Sequence, residues 1–192
     1  MKSLGDYVQL SSGSPQFRIT ESVDEHAPSY VWYTQQHINA DLSGMVSNPS
    51  EYKTVSTFNE VCTLLEGDVV FSLISGVAAI VSEPHAGFVQ TQNYIKLEPG
   101  NQLDRQFLVY LLNEDSHIKK QWAVNLQGSS ILKYTLAHLK ALQIKTLPPM
   151  EKQKIIGSIY MMQLRLQALK NRVAAQETKL TLGLIDGVVN HE

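Results

Sequence analysis

Apolar positions along this chain change rhythm three times. In the first hundred residues they come as short runs broken by turn residues, the pattern of strands. Asp6–Leu10 predicts a strand running into a Ser11-Ser12-Gly13-Ser14-Pro15 loop, and Tyr30–Tyr33 a second strand of β-branched and aromatic residues. Leu64-Leu65, a Glu66-Gly67-Asp68 turn, Val69–Ile74, a Ser75-Gly76 turn and Val77–Val81 follow as the clearest strand pair. Unbroken apolar runs bounded by glycine suit strands covered on both faces. Phe88–Gln92 and Tyr94–Leu97 continue the pattern up to Glu98-Pro99-Gly100.

Helical spacing then takes over. Phe107-Leu108-Val109-Tyr110-Leu111-Leu112 predicts a helix with Asp104 as N-cap, and Ser116 to about Val124 a second. After a polar Gln127-Gly128-Ser129-Ser130 loop, Thr135 is placed to cap a short helix through Leu136 and Leu139, and Leu142–Lys145 alternates like a last strand. The expected fold class is α+β, a sheet-centred domain over residues 1–147.

From Pro149 to Leu182 the rhythm is 4-3, and Gly157 is the one glycine or proline after Pro149 itself. Ile155, Ile159, Met162, Leu166, Leu169, Val173, Gln176 and Leu180 fall on alternating core positions with only Gln176 polar. That is the signature of a long coiled-coil-forming helix over residues 148–192, with Pro149 suited to its first turn. So narrow a seam needs a second helix, and a homodimer through it is expected. The bland competitor is an amphipathic helix lying on its own domain. Gly183 and Gly187 suggest a frayed end.

Composition sharpens this picture only in places. A hydrophobic content of 43% in 192 residues is ordinary for a packed core. The net charge of -2 argues against a uniformly basic nucleic-acid binder, but its distribution is uneven. Residues 1–66 hold Lys2, Arg18 and Lys53 against eight acids, whereas 151–180 hold six cations against Glu151 and Glu177. A DNA contact would have to be local or shared with a partner protein. The start of the chain lacks the apolar core of a signal peptide, and no apolar run reaches membrane length, so no membrane and a cytoplasmic location are expected. Cys62 is the single cysteine, expected as a buried structural thiol.

Catalytic constellations are weak. Leu147-Pro148-Pro149-Met150 is superficially similar to the motif with which amino-methyltransferases hold the target amine, but Leu147 lacks the polar acceptor and Met150 the stacking ring. Glu51-Tyr52-Lys53 is half of a metal-dependent nuclease site without its second acidic ligand, since the nearest candidate, Asp41, is expected in a glycine-containing loop. His26, His37, His85, His117, His138 and His191 are not spaced for metal ligation or a triad, and no glycine-rich cofactor loop is present. No catalytic residue, metal or cofactor is expected.

The order of features resembles a known family. Leu4-Gly5-Asp6-Tyr7-Val8, then Leu65–Phe71, Gly76 before Ala79-Ile80-Val81, Gly128-Ser129 with Lys133-Tyr134-Thr135, and above all Leu147-Pro148-Pro149-Met150-Glu151-Lys152-Gln153 opening a long helix, are similar to the specificity subunit of type I restriction-modification systems. The resemblance implies a noncatalytic target-recognition domain followed by a dimerisation and spacer helix. Its implied partners are double-stranded DNA, a DNA methyltransferase subunit and a restriction (translocase/endonuclease) subunit. Full-length members carry two such domains and two such helices packed antiparallel; this chain has one of each, which implies a half-length form completed by homodimerisation, one half of a split subunit, or a fragment. The competing expectation is a coiled-coil scaffold protein without sequence-specific DNA binding.

Base edges are read by amides, hydroxyls and cations, so the loops rich in them are the DNA-binding candidates. They are Gln90, Thr91, Gln92 and Asn93; Gln127, Gly128, Ser129 and Ser130 with Lys133; Ser12, Gly13 and Arg18; and Lys53. Lys53 and Lys133 are expected mainly on phosphates. For the dimer interface the candidates are Ile155, Ile159, Met162, Leu166, Leu169, Val173 and Leu180.

Overall fold

The computed structural model describes residues 1–45, 49–126 and 134–189. In chain order its elements are β1 (Lys2–Ser3), β2 (Val8–Ser12), β3 (Ser29–Val31), α1 (Gln35–Ser43), β4 (Thr54–Ser56), β5 (Val69–Ser72), β6 (Ala78–Ile80), β7 (Tyr94–Pro99), α2 (Arg105–Glu114), α3 (Ser116–Leu126), α4 (Leu136–Ala141), β8 (Gln143–Ile144) and α5 (Met150–Val189). An antiparallel sheet in the order β2-β7-β5-β6 forms the centre, and β1 pairs with β8 and β3 with β4 in two small ribbons. The mixture of sheets and helices is the α+β class that the pattern predicts.

The glycine-bounded apolar run of β5 is buried along its whole length because both faces are covered. Val69 and Phe71 enter a core with Ile95, Leu97, Leu108, Leu112 and Trp122, under α2 and α3. Val70, pointing to the other face as strand geometry requires, joins Tyr33, Ile38, Leu64 and Phe88 beneath α1. A third cluster, Trp32, Val55 and Val89, supports the β3–β4 ribbon.

Two predicted caps are in place. Asp104 Oδ1 accepts the Phe107 N–H at 2.9 Å at the start of α2, and Thr135 Oγ1 that of His138 at 3.2 Å at the start of α4.

Several expectations are corrected. Cys62 is exposed. Its N–H donates to Ser14 Oγ at 3.0 Å and its carbonyl accepts the Gln90 N–H at 2.8 Å, which holds the backbone inward while Leu64, two residues on, takes the buried place. Asp41 lies in α1 and is buried, not in a loop. Phe88–Gln92 forms no continuous strand; it makes single bridges from Val89 to Trp32 and Thr63, and from Thr91 to Ser14. Gly183 and Gly187 do not break α5, which continues through both to Val189.

Helix α5 is apolar on two faces in its first half. Gln153 and Gly157 are buried in it, and Ile156, Tyr160 and Met161 pack on the domain core. A Cβ on Gly157 would sit 2.5 Å from the Phe107 nitrogen, so the absent side chain is what lets α5 cross α2 so closely. The predicted seam is on a different face: Ile155, Ile159, Met162, Leu166, Leu169, Val173 and Leu180 are between 41% and 66% exposed.

Candidate nucleic-acid interface

The loops singled out by sequence approach one another at the end of β2. Ser12 is exposed and pairs with Ile95, and the chain then turns beside the 90–93 loop. A Cβ on Gly13 would lie 2.1 Å from the Gln90 carbonyl oxygen, so only glycine fits where these two segments touch. Ser14 N–H donates to that same carbonyl at 2.9 Å, and Gln16 N–H to Gln92 Oε1 at 2.8 Å. Lys53 joins the group through its backbone: its carbonyl accepts the Trp32 N–H at 2.9 Å, and Trp32 bridges to Val89.

Burial divides the candidates. Arg18 and Lys53 are exposed, Gln92 and Asn93 half-buried, and Gly13, Gln90 and Thr91 buried. The Gln90 amide donates to the Tyr94 and Ser11 carbonyls at 2.8 and 3.1 Å, bracing the loop against β2 and β7. Gln127, Gly128, Ser129, Ser130 and Lys133 lie outside the described residues.

Behind the loops sits a buried polar knot. Asp41 accepts Tyr33 Oη at 2.7 Å, the Ser82 N–H at 3.0 Å and His85 Nδ1 at 2.7 Å. Burial raises the Tyr33 hydroxyl well above its ordinary value, Asp41 adding to the effect, and burial alone pushes Tyr94 to about 12. His37, whose ring centroid is 5.0 Å from that of His85, is lowered to about 4 by burial and then by that neighbour. Its Nδ1 accepts the Thr34 N–H at 3.0 Å. Asp41 bonds directly to the Ser82 hydroxyl, at 2.5 Å, and to the histidine, so the group is no Ser-His-Asp relay, in which the histidine stands between the other two. It fixes α1 and the 82–85 turn, while Tyr33 N–H donates to the Val89 carbonyl at 3.0 Å and so carries that rigidity into the candidate loops.

Among the described residues, no group of three or more His, Cys, Asp or Glu is arranged to hold a metal, and no helix is long and apolar enough to cross a membrane. The exposed aromatics Phe17 and Phe58 were not among the sequence candidates; a lone apolar residue in a polar loop was the available signal.

The model of the type I restriction modification DNA specificity domain matches residues 1–175. The chain belongs to this family, and both the globular part and the first 26 residues of α5 fall within the match. Among solved structures it is similar to the HsdS subunit from Thermoanaerobacter tengcongensis, with a TM-score of 0.50 and 18% identity over 96% of this chain and 43% of that one. A chain from a structure of complex assembly and conformational transition in the type I R-M system gives a TM-score of 0.59 and 20% identity, over 97% and 43%. The type I S subunit from M. genitalium gives 0.50 and 15%, over 94% and 41%. At these identities the likeness is one of fold. The chain spans less than half the length of each of these three proteins. No curated protein matches it.

Proposed function

We propose that this chain is the noncatalytic specificity component of a type I restriction-modification complex. Residues 1–147 form the recognition domain, which reads one half of a bipartite DNA target. Residues 148–192 form the spacer and dimerisation region, which sets the distance to the other half and docks the methyltransferase subunit, with a restriction subunit joining that assembly. The observation that carries this reading is the family match running from the recognition domain into α5. The choice of partners is supported by the likeness of fold to a chain from a structure of type I R-M complex assembly. A scaffold without DNA specificity has no comparable support, because the match includes the globular part.

Within the converging loops, Ser12, Arg18, Gln92 and Asn93 are the proposed base readers and Lys53 a phosphate contact, whereas Gly13, Gln90 and Thr91 shape the loops. Gln127, Gly128, Ser129, Ser130 and Lys133 are candidates on their chemistry alone. The test is a gel shift with the chain, with a cognate methyltransferase subunit, and with both. Sequence-specific retardation is expected when both are present. Lys53→Ala should weaken cognate and random duplexes alike and make the salt dependence shallower by about one unit of slope. Asn93→Ala should relax sequence preference instead. Binding by the complex that ignores sequence altogether would refute the reading.

A further inference from the structure

Phe17 is 81% exposed. A single exposed phenyl is ordinary on a protein surface, but the mounting of this one is not. The 3-10 turn Gln16–Arg18 follows Pro15, and its ends are closed by Arg18 N–H to the Pro15 carbonyl at 2.9 Å and Ile19 N–H to the Gln16 carbonyl at 3.2 Å. One contact holds the turn itself, Gln16 N–H to Gln92 Oε1 at 2.8 Å, and two more hold the chain just before it at Ser14, whose N–H donates to the Gln90 carbonyl at 2.9 Å and whose Oγ accepts the Cys62 N–H at 3.0 Å. Ile19, next in the chain, packs on the Trp32, Val55 and Val89 cluster. The ring therefore projects from a backbone braced on both sides, with little ordering entropy left to lose on contact.

Its company is specific as well. The Arg18 guanidinium lies 5.7 Å from the ring centroid, within cation–π range. Beyond the turn come Glu21, Asp24 and Glu25, all exposed, with no Lys or Arg until Lys53. Those carboxylates repel a phosphate backbone and offset the single cation of the turn, so it is poorly suited to indiscriminate phosphate binding. What an apolar ring beside a guanidinium can contribute is contact with base edges: a phenyl packs on the thymine 5-methyl, and a guanidinium pairs with the guanine O6/N7 edge.

Resting on the DNA-recognition reading above, we propose that Phe17 and Arg18 form a rigid probe for two neighbouring base pairs of the half-site, with the phenyl on a thymine methyl and the guanidinium on a guanine. The experiment co-expresses the full chain with its methyltransferase subunit and maps the methylated motif by sequencing genomic DNA. Wild type, Phe17→Ala, Arg18→Ala and the control His26→Ala are compared. Phe17→Ala should relax one thymine-containing position and weaken cognate binding about fourfold, and Arg18→Ala should relax the guanine beside it and weaken binding about tenfold or more, while His26→Ala leaves the motif unchanged. Replacing the thymine by uracil in a synthetic duplex should cost the wild type about fourfold and Phe17→Ala nothing. Thermal melting of all variants should match the wild type, since the ring is outside the core. An unchanged motif in Phe17→Ala, or relaxation at a position without thymine, overturns the probe. So does a Phe17→Ala protein that melts normally but no longer copurifies with the methyltransferase, which would make the ring a subunit contact. A wild-type complex that binds DNA without sequence preference instead sinks the recognition reading on which the probe rests.

Discussion

Gln153 shows how much a single buried amide can organise. Its Oε1 accepts the Asp104 N–H at 3.0 Å, and its Nε2 donates to the Gln102 and Pro148 carbonyls at 3.0 and 2.9 Å. It thereby ties the first turn of α5 to the segment that caps α2, which gives the Pro148-Pro149-x-Glu151-x-Gln153 motif a structural cause. Gln153→Leu would fill the space but leave one donor and two acceptors, all part-buried, without this partner. A loss of about 1–2 kcal/mol is expected, measured as a lower urea midpoint at unchanged slope; an unchanged midpoint would refute the tie. His37 makes a pH prediction. Unfolded, the ring protonates near 6.5; folded, it does so at about 4. Between those values the unfolded chain binds more protons, so stability is full above pH 6.5 and falls as the pH drops toward 4. The expected loss between pH 7 and 4.5 is about 2 kcal/mol, because each pH unit crossed between the two protonation points removes about 1.4 kcal/mol. His37→Asn keeps an acceptor near the Thr34 N–H and should flatten that slope in urea titrations run at both pH values.

Elements were legible where one residue pattern meant one thing. The doubly buried β5, the Asp104 and Thr135 caps and the 4-3 seam of α5 all follow from residue order alone, because apolar periodicity and short capping side chains act locally. Helix α1 was not legible: its buried positions include His37, whose Nδ1 is met by the Thr34 N–H, and Asp41, which Tyr33 and the distant Ser82 and His85 make acceptable in a core. Cys62 failed for the same reason, since contacts from Ser14 and Gln90 decide which way its extended backbone faces. The candidate loops were legible as chemistry but not as roles. That Gln90 is turned inward depends on the carbonyls of Ser11 and Tyr94, which no spacing announces. Helix α5 hid its second apolar face because Gln153 and Gly157 lie on it, a polar residue and a glycine standing where a core pattern calls for large side chains. The two faces separate Ile155, 59% exposed, from its neighbour Ile156, which packs on the domain core. Ile156→Asp should destabilise the domain by about 2–4 kcal/mol through lost packing and a partly buried charge. Ile155→Asp should leave the fold of the isolated domain intact and act only on association. Equal loss in thermal melts of the two variants at low protein concentration would contradict the two-faced helix.

At the scale of the whole molecule, the free seam bears on what the chain would read under the proposed function. Forty residues of α5 extend about 60 Å at 1.5 Å per residue, and beyond Ala168 nearly all of that length is exposed. Apolar side chains at 41% to 66% exposure along one stripe are strongly stabilised by a second helix. With a copy of itself as the occupant, sedimentation should give a dimer with a concentration-dependent melting temperature. Leu166→Lys, which sets a charge in the seam, should give folded monomers. A well-folded wild-type monomer at the same concentrations would leave the seam to the methyltransferase subunit. Under the proposed function, the symmetry of such a dimer would fix the symmetry of its target. Two identical recognition domains related by a two-fold axis would present the same loops to the two DNA strands, so the half-sites would be inverted copies of one another. The methylated motif of a complex built on the homodimer is therefore expected to be an interrupted palindrome, its gap set by the paired helices. Mapping methylated positions in DNA from cells expressing the complex tests this directly: two unrelated half-sites would require a second, different recognition domain in the assembly, and would exclude a homodimer as its specificity unit.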